Sequence, residues 1–94
     1  MSNPKLGILA GEGKMPVYIA RNARSRGYDV FVLGLKGNAC LADYKGLATA
    51  TGQIRLGQLG AGIEFFKSRG VSEVVMAGRV QHTSIFTKIG RAHV

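Results

Sequence analysis

Short apolar runs bounded by glycine alternate along this chain with stretches in which apolar residues recur every three or four positions. Residues 5–10, Lys-Leu-Gly-Ile-Leu-Ala, read as a first strand. A helix is predicted over 16–26: Pro16 suits a first turn, Ile19, Ala20 and Ala23 share one face, and Arg21, Arg24 and Ser25 share the other. Gly27 is the residue expected just past its end. Asp29-Val-Phe-Val-Leu33 is β-branched and aromatic, the pattern of a buried second strand, and Gly34, Gly37 and Asn38 mark the loop after it. The middle predicts a short helix over 41–47 and a short strand over 51–56 interrupted by Gly52. Helical spacing returns from Gln58, with Leu59, Ile63 and Phe66 on one face and Gly70 closing the element. Glu73-Val-Val-Met-Ala77 is the fourth strand and runs into Gly78.

An internal echo supports this division. Ser25-Arg-Gly-Tyr-Asp-Val-Phe-Val and Ser68-Arg-Gly-Val-Ser-Glu-Val-Val share a helix stop, a turn and a buried strand. Strands that alternate with helices and are apolar along their length imply a parallel sheet covered on both faces. Right-handed crossovers then give an α/β, Rossmann-like, mainly parallel four-stranded sheet of order 3-2-1-4. In that order the loops after strands one and four flank one crevice, at the point where the winding reverses.

Composition narrows the classes. Ninety-four residues, 46% hydrophobic and 19% charged, make one small globular domain rather than a disordered segment. A formal charge of +8 favours an anionic partner: nucleic acid, a phospholipid surface or a phosphorylated small molecule. The thirteen Lys and Arg form no run, which disfavours a nucleic-acid arm. Cys40 stands alone, so neither a disulfide framework nor a cysteine metal site is expected, and the cytoplasm fits. No stretch approaches the roughly 20 apolar residues that span a bilayer, and the first apolar run is too short for a signal peptide. A soluble or peripheral protein is expected.

The loop Gly11-Glu-Gly-Lys-Met-Pro16 carries the chemistry. Glycines between a strand and a helix let backbone approach a phosphate, and a helix start directs unpaired N–H groups at it. The loop matches the first two glycines of the dinucleotide fingerprint G-x-G-x-x-G but has Pro16 in the third place. No acid ends strand two to hold a ribose hydroxyl, since that region reads Leu33-Gly-Leu-Lys36. Gly13-Lys14 is followed by Met15, so no Ser or Thr completes a magnesium-binding phosphate loop. A phosphate-facing loop and a merely structural turn both remain open. Gly57 and Gln58 sit at the start of the second clear helix, either as an anion contact or as an ordinary junction. Gly78 and Arg79 end strand four, where this fold places ligands; the arginine supplies a fork of donors or simply a solvated surface charge. His82 reads as a solvated loop residue. The five acids, Glu12, Asp29, Asp43, Glu64 and Glu73, are scattered, and only Glu12 reaches the crevice, as a candidate for a hydroxyl or metal contact.

Taken in order, "GILAGEGKMP", "SRGYDVFVLGLKG", "IRLGQLG" and "GVSEVVMAGRVQ" resemble the N-terminal domain of the LpxI-type UDP-2,3-diacylglucosamine pyrophosphatases, from about residue 6 to residue 87. The resemblance implies a bacterial hydrolase of lipid A biosynthesis that releases UMP and 2,3-diacylglucosamine 1-phosphate and depends on a divalent metal, typically Mg2+. It also implies two domains with lipid held between them and the catalytic aspartate in the C-terminal one. Carried over to matching positions, the substrate-binding residues are Gly11, Glu12, Gly13, Lys14, Gly57, Gln58, Gly78 and Arg79. No catalytic residue and no identifiable metal ligand is expected in this chain. The implied partners are a UDP-linked or phosphorylated acylated glucosamine, the C-terminal domain and, peripherally, the inner membrane, with no nucleic acid. The alternative is a Rossmann-like nucleotide-binding module without hydrolase activity.

The last residues carry a separate expectation. Ile89-Gly-Arg-Ala-His-Val94 is also the translation of ATCGGAAGAGCACACGTC, the start of a common sequencing-adapter oligonucleotide whose next triplet is a stop. Residues 1–87 are then the native domain, residues 88–94 a non-native tail, and the C-terminal catalytic domain is absent. The source nucleotides test this, because genomic sequence running unchanged past Val94 overturns it.

Overall fold

A computed structural model of the chain describes residues 3–37, 39–80 and 83–91. Strand β1 (Lys5–Ala10) leads into helix α1 (Met15–Ser25), and β2 (Asp29–Leu35) follows. A 3-10 turn at Leu41–Tyr44 precedes β3 (Ala50–Ile54). A second 3-10 turn at Leu56–Gln58 feeds helix α2 (Leu59–Ser68), after which come β4 (Glu73–Val80) and β5 (Thr83–Arg91). The sheet order is β3-β2-β1-β4-β5. Its first four strands are parallel, as the alternation of strand and helix predicts, with Ile8 opposite Val32 on one side and Val75 on the other.

Each central strand buries both faces. Leu6, Ile8 and Ala10 of β1 and Val30 and Val32 of β2 pack beneath α1, against Val17, Ala20, Ala23 and the ring of Tyr44. The alternate residues Leu9, Phe31, Leu33 and Val74 pack beneath α2, against Phe66. That two-sided burial is why these strands are continuously apolar rather than alternating. Phe66 lies so close over β1 that a Cβ at Gly7 would come within 2.7 Å of its ring. Glycine at that position lets the aromatic ring reach the sheet.

The structure departs from the sequence reading at several places, among them the strand read over 51–56, which ends at Ile54 because Leu56 enters a 3-10 turn. The middle forms only a 3-10 turn, Leu41–Tyr44, in place of a helix over 41–47; the chain extends at Lys45 and Gly46 turns left-handed at φ +81°. The helix expected from Gln58 starts one residue later, behind its 3-10 turn. Strand β4 does not stop at Ala77. It runs on through Gly78 and Arg79 to Val80, because a fifth, antiparallel strand supplies the partner that β1 no longer offers beyond Ala77. That partner, β5, is absent from the sequence reading. It pairs Ala77 with Phe86 and Gly78 with Ile85, and the register slips between Val74 and Val75. Asn38 and His82, assigned to loops from sequence, lie outside the described residues.

Candidate functional site

The loop after β1 and the end of β4 are stitched together at the carboxyl end of the sheet. The Gly11 N–H donates to the Ala77 carbonyl at 2.8 Å. Glu12 and Arg79 then form a reciprocal antiparallel pair: the Glu12 N–H donates to the Arg79 carbonyl at 2.7 Å, and the Arg79 N–H donates to the Glu12 carbonyl at 2.8 Å. Their side chains meet as well, Arg79 Nη2 lying 3.1 Å from Glu12 Oε1 with both groups more than half exposed. Strands that run parallel up to Ala10 and Ala77 thus give way to an antiparallel pairing just beyond. The reversal needs Gly78, which adopts φ +105°.

The glycines at this junction bring backbone onto backbone. A Cβ at Gly78 would sit 2.8–2.9 Å from the main-chain atoms of Gly11, and one at Gly11 would sit 2.5 Å from the Arg79 carbonyl oxygen. The sequence suggests close approach to a ligand; here the same freedom also serves the chain itself. Gly13 is different: it has φ +108°, and a Cβ there would meet nothing within 4 Å, so it shapes an open turn. Lys14 caps α1 without a side-chain hydrogen bond, its carbonyl accepting from the Tyr18 N–H at 3.0 Å. The first turn holds no acid, and Pro16 lies within it, buried. Geometry therefore leaves the early N–H groups of α1 without intrahelical acceptors, beside the ammonium of Lys14. Where a dinucleotide fold would present an acid after β2, Ala39 and Leu41 crowd against Gly34 instead.

Gly57 and Gln58 fall on the other face, in the 3-10 turn before α2. The Gln58 side-chain oxygen accepts the Arg55 N–H at 2.9 Å and so caps its own turn. Among the described residues no hydrogen bond or ion pair joins either residue to the junction of Glu12 and Arg79. Indirectly the two regions do adjoin. An apolar cavity of about 220 Å³ is lined by Leu59, next after Gln58, and by Leu9 and Met76, each two residues before Gly11 and Gly78. Gly62, Ile63, Phe66 and Val74 complete its wall. Sequence reasoning misses this cavity, although it places Leu59, Ile63 and Phe66 on one helical face. Helical spacing gives the face that α2 turns to the sheet, but not the residues of β1 and β4, Leu9, Val74 and Met76, that complete the cavity from the other side.

Magnesium is the ion the family resemblance implies. Among the described residues no three His, Cys, Asp or Glu side chains come together, and Glu12, the carboxylate at the crevice, already faces Arg79. No described helix is long and apolar enough to cross a membrane.

A doubly wound α/β domain whose glycine loop meets a strand end at the reversal of winding belongs to the class that carries its ligands at that junction. The model of one such family, described as the LpxI N-terminal domain, matches residues 5–92, and the chain belongs to that family. Comparisons with curated proteins and with solved structures each return no match.

Proposed function

We propose that this chain is the substrate-binding N-terminal part of a UDP-2,3-diacylglucosamine diphosphatase of lipid A biosynthesis, inactive on its own. The observation that carries the reading is the junction of Gly11, Glu12, Gly13 and Lys14 with Gly78 and Arg79, in a chain of the LpxI N-terminal domain family. In this reading the open turn at Gly13, the early N–H groups of α1 and the Lys14 ammonium receive a phosphate of the substrate. Arg79, half exposed beside Glu12, adds a second cation to the same junction. Gly57 and Gln58 contribute from the start of α2. In this reading the catalytic aspartate belongs to a C-terminal domain that closes the other side of the crevice.

The test has two arms. Titration of the 94-residue chain with UDP, a UDP-sugar and NAD should show binding of the uridine nucleotides and none of NAD, and Arg79→Gln should weaken it. An assay for UMP release from UDP-2,3-diacylglucosamine with magnesium should show no turnover. Robust hydrolysis by the chain alone, or binding of NAD in preference to UDP, overturns the proposal.

A further inference from the structure

From residue 13 to residue 28 the chain carries four cations, Lys14, Arg21, Arg24 and Arg26, and no acid. In the fold this stretch is α1 and its flanks. The helix buries Pro16, Val17, Ala20 and Ala23 against the sheet, which turns Met15, Tyr18, Arg21, Asn22 and Ser25 outward at steps of three and four residues. Tyr18 is 54% exposed and Met15 50%, more than any other large apolar side chain among those described. Both stand in the first turn, beside Lys14. The Arg21 guanidinium lies over the Tyr18 ring at 5.9 Å from its centroid, so the aromatic and cationic parts of the face are contiguous. The acids that border the stretch are engaged elsewhere: Glu12 pairs with Arg79, and Asp29 accepts from the Asn3 side-chain amide at 3.3 Å.

We propose that this outward face of α1 docks on an anionic lipid bilayer. Charge complementarity selects the partner: a helix with arginines and no acid is drawn to a negative surface, each basic residue adding to the attraction. The exposed Tyr18 and Met15 select bilayer over polynucleotide. An amphipathic ring settles at headgroup depth, and a thioether gains from the acyl boundary, whereas neither methionine nor dispersed cations suit a phosphate backbone. The helix does not insert, because its apolar side is already committed to the sheet. It lies on the surface, with Lys14 and Gly13 at the headgroup level. The inference does not depend on the substrate proposed above.

Flotation of the 94-residue chain with vesicles tests it without any nucleotide. Binding is expected to vesicles of phosphatidylcholine and phosphatidylglycerol, not to phosphatidylcholine alone, and to fall with salt. K14E/R21E should lower the partition coefficient about tenfold or more, and Y18A about threefold. The same charge change on the opposite face of the sheet, K67E/R69E, should cost clearly less. K14Q/R21Q, which repels nothing, should still lower binding if the reversed variant fails to fold by circular dichroism. Equal binding to neutral vesicles, equal losses from the two faces, or a single-stranded RNA that displaces the protein from vesicles while Y18A leaves both affinities unchanged would each overturn the proposal.

Discussion

Gly13 and Gly78 have nearly the same φ, +108° and +105°, and opposite surroundings. The sequence places both beside a candidate ligand site, Gly13 in a loop and Gly78 at a strand end; their difference depends on what lies across from them. Gly13→Ala meets no atom, so its cost should be the left-handed conformation alone, about 1–2 kcal/mol. Gly78→Ala adds an overlap with Gly11 backbone that no side-chain movement relieves, and should cost at least about 3 kcal/mol. Urea unfolding of the two variants measures this; equal losses would mean the junction is not packed as described. Tyr44 offers a second residue-scale prediction. Burial, with Asp43 and Cys40 nearby, pushes its phenol from 10.0 up to about 12. The raised value means the unfolded chain ionises first. Stability contributed by the neutral phenol is therefore complete below pH 10.0 and is lost as pH rises toward about 12. Tyr44→Phe should flatten that alkaline loss in a thermal-melt series and leave the slope at neutral pH unchanged.

Helix α2 hangs on fewer anchors than α1. It commits Gly62 and Phe66 fully to the interior, and Phe66, 1% exposed, is the residue that bridges Leu9, Phe31 and Leu33. Phe66→Ala should cost about 3–5 kcal/mol in denaturant unfolding, since the site already borders a cavity and cannot collapse to fill the space. A loss of only a few tenths of that would show that α2 is not docked as found. Strands β1 and β2 were legible because burial on both faces writes a continuous apolar run, and the two helices because a one-sided helix writes a stripe. Strand β3, at the edge and with no residue buried, shows only as a short stretch interrupted by Gly52. Strand β5 left no comparable trace. An edge strand is defined by its hydrogen bonds to β4, and pairing of that kind has no period along one chain. For the same reason the end of β4 was misplaced: the residues from Gly78 to Val80 become strand only because β5 and Glu12 come to meet them.

Thirteen cations against five acids make the whole molecule self-repelling. The ion pairs Glu12–Arg79 and Glu64–Lys67 are exposed or half exposed and each contributes roughly 0–1 kcal/mol, less than the repulsion that salt would screen. Raising ionic strength from about 0.01 M to about 1 M, where the screening length falls from about 30 Å to about 3 Å, should raise the melting temperature of the 94-residue chain. A fall would mean that attraction, not repulsion, dominates its surface. From the sequence alone came the class of the domain, the parallel order of its first four strands and the glycine loop between β1 and α1, because these follow from local burial patterns and backbone freedom. Only the tertiary structure decided that Glu12 pairs with Arg79, that Gly11 and Gly78 pack on each other, and that a cavity opens beside α2. Those contacts join residues far apart along the chain, and no local pattern encodes which distant backbone a glycine will face.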